Sequence, residues 1–388
     1  MLVPARRHAT VVASAVAGIT ATDFSTIIET DRVVVSERTM VWTPGERFGS
    51  HTETAVKAPA IDWFLAEGAT HGVFSLFYLL ENPGDTAANV RIRYLLPSPQ
   101  TPIVLNYTVE AHSRKTIPVD DEPGLGATDV SADIHSENGV PIIVERAMYF
   151  SGARGGHASA GVTEPRAHWF FAEGATGSYF NTFLLLANPD ATRTAHVTVS
   201  YLLPDGTVIP VTHDIAASSR QTYNVAIEAP ALASAAVSAV VDSDVPIVAE
   251  RSMYWPPEWT DAHNTAGATE TGIVWGVAGG EEGGAFNTQT YVLIANTSPF
   301  AGSARVTVLR ENGAPMVHEV TLEANSRTNV PIGPTPEFAA VIGTRFGVLV
   351  ESLGATPAQI VVERATYSNG TGGAVWDAGS AALATRLQ

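Results

Sequence analysis

Two glutamates lie in nearly identical stretches of this sequence and are the first candidates for chemistry. Glu67 occurs in DWFLAEGATH and Glu173 occurs in HWFFAEGATG. A carboxylate in a loop can bind a ligand or transfer a proton, but hydrolysis by paired carboxylates needs two acids across one cleft. No second acid recurs at a fixed offset from both glutamates in a recognisable loop. We therefore expect these carboxylates to accept hydrogen bonds from loop N–H groups where a strand ends in a glycine turn.

Adjacent Glu-Arg pairs recur along the chain and could form a charged site. They are Glu37/Arg38, Glu145/Arg146, Glu250/Arg251 and Glu363/Arg364. On a strand, neighbouring side chains point to opposite faces, so one member of each pair lies on the apolar face and needs a partner. The recurring arginine of a Ser-Arg motif is the obvious partner. The sequence therefore predicts three structural ion pairs, which would fix strand register rather than do chemistry: Glu145–Arg114, Glu250–Arg220 and Glu363–Arg327.

Histidines also recur, at His51, His157 and His263, in the segments GSHTETA, GHASAG and AHNTAG. Gly, Ser and Thr surround them, which predicts loop. Each histidine could hold a metal or a proton at a module junction. Because none has a His or acidic companion at ligand spacing, we expect them instead to hydrogen-bond the neighbouring module.

Two further groups could bind ligands. Loop acids are candidates for calcium, although the Asp-x-Asp-x-Asp-Gly pattern is missing and Asp is common in turns. These acids are Asp120, Asp121, Glu122, Asp242 and Asp244. Exposed aromatic rings can stack on sugars, and Trp255, Trp259 and Tyr179 form a candidate platform near the predicted ends of the second module. Trp63 and Trp169 have apolar neighbours and are predicted to be core. No cofactor is predicted, and no protease, hydrolase, P-loop or dinucleotide motif occurs.

The elements that carry these residues repeat with a period of about 106 residues, as the spacing of Trp63, Trp169 and Trp275 shows. Such a period fits a small domain repeated in tandem. Within one period, about seven short alternating stretches are separated by turn residues, which predicts an all-β fold of tandem immunoglobulin-like β-sandwich modules. Residues 1–50 align with the back half of a module. The predicted modules are 61–155, 167–260 and an atypical, terminal 273–370, followed by a C-terminal tail at 371–388.

The motifs WFLAEGAT and WFFAEGAT, NP at 82–83 and 188–189, YLLP, the Ser-Arg pair and PI-x-V/A-ER-x-M-Y resemble an uncharacterised family of bacterial extracellular repeats. The resemblance covers nearly the whole chain from residue 3 onward. It implies the C-terminal region of a secreted or cell-surface protein, with a signal peptide expected upstream of this fragment. The third module departs from the motif, since WGVAGGEEGG replaces W-x-x-AEGAT.

Composition excludes several functions. The 388 residues carry a net charge of −17 and only two lysines, Lys57 and Lys115, so a nucleic-acid partner is not expected. Cysteine is absent, which excludes disulfides and thiol chemistry. No apolar run is long enough to span a membrane. We therefore expect a monomeric, non-catalytic structural or interaction array, a stalk, display or adhesion region that binds a cell-wall or matrix glycan or another surface protein. The alternative is a set of carbohydrate-binding modules that assist an extracellular hydrolase.

Overall fold

The computed structural model describes residues 1–20, 22–42, 49–256, 258–333, 335–370 and 373–388. The described chain is all-β, with short helical turns at Ala13–Ala15, Val119–Asp121, Val225–Glu228, Pro230–Leu232 and Pro336–Val341. Within the described residues, no helix has both the length and the apolar character that a membrane crossing requires.

The first segment contributes one antiparallel pair of strands, β1 (Glu37–Trp42) and β2 (Gly49–Thr54). Residues 43–48, which join them, lie outside the described residues. The half-module predicted for residues 1–50 therefore supplies two strands to the fold.

Module 1 folds into two sheets around one apolar core. Its strands are β3 (Asp62–Leu65), β4 (Phe74–Asn82), β5 (Ala88–Pro97), β6 (Ile103–Val109), β7 (Ser113–Pro118), β8 (Ser131–Ser136), β9 (Ile143–Phe150) and β10 (Gly155–Ala160). One sheet has the order β6-β5-β8-β3 and the other β10-β9-β4-β7. Strand β5 alternates buried and less buried side chains, because one of its faces packs into the core. Tyr78 and Tyr94 stack between the two sheets at 5.9 Å.

Module 2 repeats this arrangement. Its strands are β11 (Arg166–Phe171), β12 (Asn181–Asn188), β13 (Ala195–Leu202), β14 (Val208–Ile215), β15 (Ser219–Asn224), β16 (Ser238–Trp255) and β17 (Asp261–Ala266). The long strand β16 pairs with β11 and β13 in one sheet and with β12 and β17 in the other. The DSD stretch at 242–244, whose residue types are typical of a turn, lies inside this continuous strand.

Module 3 has the same order of elements. Its strands are β18 (Val274–Glu282), β19 (Gln289–Asn296), β20 (Gly302–Arg310), β21 (Met316–Leu322), β22 (Ser326–Ile332), β23 (Thr344–Leu353), β24 (Ile360–Ser368), β25 (Ala378–Leu383) and β26 (Thr385–Arg386). The predicted C-terminal tail, of which 371 and 372 lie outside the described residues, thus contains two strands. Strand β25 pairs with β24, and β26 pairs with β18.

The repeated tryptophans lie in the cores, as expected. Trp63, Trp169 and Trp275 are almost completely buried. Each indole N–H donates a hydrogen bond to the main-chain carbonyl three residues before the glutamate of the Glu-Arg pair, at 2.9, 3.0 and 3.0 Å. Each tryptophan therefore fixes the first strand of its module against the strand that carries the charged pair.

The segments predicted as linker loops are the strands β2, β10 and β17, which form the centre of the molecule together with β25. We call β2, β10, β17 and β25 the central strands. Each packs against two others, in the cyclic order β2, β10, β17, β25. Their small side chains allow this approach: a Cβ atom added at Gly155 in β10 would clash with the carbonyl oxygen of Thr260, the residue before β17. Glycine and serine therefore mark close packing here rather than a loop.

Candidate functional site

The four Glu-Arg pairs form one closed cycle of ion pairs. Each arginine pairs with the glutamate of the following module. The pairs are Arg38–Glu145, Arg146–Glu250, Arg251–Glu363 and Arg364–Glu37, with N–O distances of 2.8, 2.6, 2.7 and 3.1 Å. The last pair joins module 3 to the first segment, whose strand β1 lies more than 300 residues earlier in the chain. We call these contacts the ion-pair cycle.

The glutamates therefore do not take the partners that the sequence predicted. Glu250 lies on β16 and Arg220 on β15, and strand β12 runs between them. Both charges pair with module 1 instead: Glu250 with Arg146 at 2.6 Å, and Arg220 with Asp129 at 3.2 Å. Neighbouring side chains of a strand point in opposite directions. The arginine of each Glu-Arg pair therefore contacts the following module, and the glutamate contacts the preceding one.

The arginines of the Ser-Arg motif bind the preceding module. Arg220 lies 3.2 Å from the carboxylate of Asp129 and donates to the carbonyl of Ala66 at 3.3 Å. Arg327 donates to the carbonyl of Gly174 and lies 3.5 Å from Glu173. These contacts join modules rather than strands of one module.

Arg114, the first arginine of this series, has the weakest contacts. It lies 3.9 Å from the carboxylate of Asp23 and donates to Thr116 at 3.3 Å. The predicted partner Glu145 pairs with Arg38 instead.

A main-chain N–H completes three of the four carboxylate sites. Ala66 donates to Glu250 at 2.7 Å, and Ala172 donates to Glu363 at 2.8 Å. Ala278 donates to Glu37 at 2.8 Å. Each of these alanines follows the repeated tryptophan by three residues. In modules 1 and 2 it is the first residue of AEGAT, and in module 3 it lies in WGVAGGEEGG, so this position presents its backbone to the next module's carboxylate in all three modules. In the sequence, only the constant spacing from the tryptophan could indicate this role, because every residue except proline has a backbone N–H.

Burial separates three ion pairs from the fourth. The side chains of the Arg146, Arg251 and Arg364 pairs are 0–2% exposed. Those of Arg38 and Glu145 are 47% and 22% exposed. Buried charges lose their hydration and therefore need a close partner, whereas an exposed pair gains little from its contact.

Glu67 and Glu173, the first candidates, lie beside this cycle at the module junctions. Glu67 is 3% exposed, and the hydroxyl of Tyr254 in module 2 donates to it at 3.5 Å. Burial raises the pKa of Glu67 to about 7. The space beside Glu173 and Arg251 has a volume of about 10 Å³, which is room for a single water molecule. The pocket beside Glu173 therefore has no room for a substrate.

The three histidines lie in the central strands and not in loops. His51, His157 and His263 are 1–2% exposed. Burial lowers the pKa of His51 to about 3 and holds the pKa values of the other two well below the usual range. His263 lies 3.3 Å from the hydroxyl of Tyr367 in module 3, so its ring joins two modules.

The predicted aromatic platform does not exist. Trp255 is completely buried, and its indole N–H donates to the carbonyl of Trp376 at 2.8 Å. Trp259 is half-buried and stacks on Tyr254 at 4.9 Å. Tyr179 is half-buried and packs edge-on against Phe180. Strand β16 continues to Trp255 and places this side chain in the interior. The three rings are used for packing and cannot form one exposed surface for a sugar.

The acids considered for calcium are engaged in turns and strand contacts. Asp120 accepts the main-chain N–H of Leu76, and Asp244 accepts that of His196. Asp242 pairs with His168. Within the described ranges, no group of three His, Asp or Glu side chains gathers as a metal site would require.

A shallow groove lies between modules 2 and 3. Among its lining residues are Phe170, Val240, Thr297, Phe300 and Gln359. Its polar lining residues are Ser, Thr and Gln, and no acidic or basic side chain is among them.

No protein-family model matches this chain, and no curated protein matches it. Solved structures resemble parts of it. A Thermotoga maritima protein designated 1070 aligns with 19% identity over 27% of this chain and 94% of its own, with a TM-score of 0.24. The Anabaena sensory rhodopsin transducer aligns with 27% identity over 24% and 99%, with a TM-score of 0.21. A tetra-tandem repeat from the extending region of a large adhesion protein aligns with 10% identity over 92% and 75%, with a TM-score of 0.13. All three TM-scores are too low to support an argument about fold or function.

Proposed function

We propose that this chain is a non-catalytic structural and interaction unit, a display or adhesion region of a secreted or cell-surface bacterial protein. Its modules are of the immunoglobulin-like type that the sequence predicts. The observation that carries the proposal is the ion-pair cycle. It engages all four Glu-Arg pairs in contacts between modules.

The geometry favours a compact platform over an extended stalk. An extended array places its first and last modules far apart, whereas here Arg364 of module 3 pairs with Glu37 of the first segment. The central strands β2 and β25 also touch, and the hydroxyls of Thr52 and Ser380 lie 3.0 Å apart. A closed platform presents all its outer loops at once, which suits multivalent binding to a surface.

A binding assay tests the proposal. The full chain is incubated with purified cell wall, cellulose and chitin, each with and without calcium, and sedimented. The proposal expects saturable binding to cell wall that an Arg251→Met variant loses, because this variant breaks the ion-pair cycle. Cell fractionation should place the parent protein outside the cytoplasm. Absence of binding to every solid, together with a cytoplasmic location, would overturn the proposal.

The same assay distinguishes the carbohydrate-binding alternative. Binding to cellulose or chitin alone, lost in Trp259→Ala, is its expected signature. With Trp255 buried, no observation in the structure favours it.

A further inference from the structure

Strand β6 is an edge strand of module 1, and its sequence is IVLNYTV. It pairs with β5 on one side, and the described residues place no strand on its other side. All seven of its residues are uncharged, and five of them are β-branched or aromatic, which are the types that favour strands. A free strand edge of this kind is a template for pairing with another strand.

The main-chain groups at this free edge belong to Val104, Asn106 and Thr108. Asn89 of β5 uses its main-chain N–H and carbonyl on residues 137–138, which follow β8, so both groups face away from β6. Its partner in β6 is Thr108. Opposite residues of an antiparallel pair either exchange both hydrogen bonds or turn both groups away. Thr108 therefore presents its N–H and carbonyl at the free edge, and alternation along the strand gives the same for Asn106 and Val104.

The side chains of these three residues are also open to solvent. Val104 is 49% exposed, and Asn106 and Thr108 are exposed as well. The residues between them are partly buried, because they lie on the core face of the sheet. The edge thus offers both its hydrogen-bonding groups and one uncharged row of side chains.

The equivalent edge strands of modules 2 and 3 carry residues that oppose pairing. Counted back from the buried last residue of each strand, Pro210 of β14 has the position of Val104 and has no N–H to donate at the edge. Strand β14 also carries the exposed Asp214. Glu319 of β21 has the position of Asn106. Proline and charged side chains are the usual means by which proteins keep edge strands from pairing, and β6 has neither.

The sequence of β6 is self-complementary about Asn106. In an antiparallel pair of two copies with Asn106 opposite itself, Val104 lies opposite Thr108 on the exposed face. On the core face, Leu105 lies opposite Tyr107. Each of the three edge residues then exchanges both main-chain hydrogen bonds with its counterpart, and no like charges face each other.

We propose that the free edge of β6 pairs with the same edge of a second copy of this chain, in an antiparallel and two-fold symmetric arrangement centred on Asn106. Pairing joins the sheet β6-β5-β8-β3 of the two copies into one continuous sheet, as in other complexes formed by strand addition. The chain that the sequence predicts to be monomeric is then a dimer. The proposal concerns the outer edge of module 1 and does not depend on the display or adhesion role.

The charge of the chain gives this dimer a distinctive salt dependence. Each copy has a net charge of −17, whereas the paired edge is neutral. Salt screens the repulsion between the two copies and leaves the main-chain hydrogen bonds in place, so it should strengthen the association.

Sedimentation equilibrium of the full chain measures the association. The expected mass rises from monomer to dimer with protein concentration, and rises at lower concentration in higher salt. Val104→Pro introduces the residue that module 2 has at Pro210, so the fold should tolerate it. Because of the two-fold axis, it removes one hydrogen bond from each copy. Each is worth about fivefold in the equilibrium constant, so association should weaken about 30-fold.

Variants of Asn106 test the centre of the interface. Asn106→Glu introduces the residue type of Glu319 and places two carboxylates opposite each other on the two-fold axis, so it should weaken the association. The matched control Asn106→Thr introduces the residue type of Thr212 in module 2 and should leave the association unchanged. Circular dichroism checks that each variant keeps its fold.

Disulfide formation tests the register of the pair. The chain has no cysteine, so each variant carries a single thiol. Asn106→Cys places the two thiols on directly opposite residues, about 5.5 Å apart at their Cα atoms, and should give a covalent dimer under oxidising conditions. Val104→Cys should not, because the two copies of residue 104 lie roughly 14 Å apart along the strands.

A monomer at every concentration, a dimer that Val104→Pro and Asn106→Glu leave intact, or a disulfide that forms at residue 104 rather than 106 would overturn the proposal. A fluorescent peptide of alternating valine and threonine tests the other occupant. Its capture by a chain that stays monomeric would identify a foreign strand at this edge and would reject the second copy.

Discussion

Removing one arginine from the ion-pair cycle should lower the free energy of unfolding by very different amounts at two equivalent positions. Arg251 and Glu363 are 1% and 0% exposed and 2.7 Å apart. Arg251→Met leaves the carboxylate of Glu363 buried without its cation, so we expect a loss of about 3–5 kcal/mol in the free energy of unfolding. Arg38→Met breaks the equivalent exposed pair and should cost about 0–1 kcal/mol.

The double variant Arg251→Met/Glu363→Gln separates a buried charge from lost packing. A glutamine can still accept the N–H of Ala172, and no charge is left buried. We expect most of the lost stability to return, to within about 1–2 kcal/mol of the parent protein. Unfolding midpoints in guanidinium chloride, followed by tryptophan fluorescence and circular dichroism, give the comparison. Equal costs for Arg251→Met and Arg38→Met, or no recovery in the double variant, would refute the reasoning.

Three further predictions follow from burial in the central region. The pKa values of His51, His157 and His263 are depressed in the folded state, so their stabilising effect is present above pH 6.5 and is lost as the pH falls. His157→Gln should therefore reduce the dependence of the free energy of unfolding on pH, between pH 5.5 and 4, by about 1.4 kcal/mol per pH unit. Glu67 has a folded pKa of about 7, so its contribution to the free energy of unfolding is present below pH 4.5 and lost as the pH rises through 7. Glu67→Gln should stabilise the protein at pH 8 by roughly 3 kcal/mol more than at pH 5. An equal effect at both pH values would contradict this. Gly379→Ala places a Cβ atom 2.7 Å from the carbonyl oxygen of Thr366 in β24 and should cost about 1–3 kcal/mol in the free energy of unfolding, measured by chemical denaturation. An unchanged midpoint would show that β25 has room for a side chain beside β24.

Local patterns in the sequence predicted much of the fold. The alternation in HVTVSYLL at 196–203 corresponds to strand β13 (Ala195–Leu202), and the all-β class follows from many such stretches. The buried tryptophans could also be predicted, because Trp63 and Trp169 have apolar neighbours. Such predictions succeed because a strand's two-residue period is a local property of the chain.

The closed arrangement could not be predicted in the same way. The contact between Glu37 and Arg364 joins residues 327 positions apart, and no local pattern encodes such a contact. Three of the four central strands, β2, β10 and β17, were predicted as loops because Gly, Ser and Thr, which surround their histidines, are typical of loops. The partner of Glu250 was missed because a search within one module overlooks the next module's arginine.

The closure of the molecule is the central claim, and one cross-link tests it most directly. The chain has no cysteine, so Thr52→Cys and Ser380→Cys introduce a single possible disulfide between β2 and β25. The side-chain oxygens of these residues lie 3.0 Å apart, close enough for sulfur atoms in their place to bond after small rotations. Under dilute oxidising conditions, we predict rapid intramolecular cross-linking of the double variant, seen as a faster band in non-reducing electrophoresis, and none in either single variant. A double variant that stays open, or that links only between molecules, would contradict the closed arrangement.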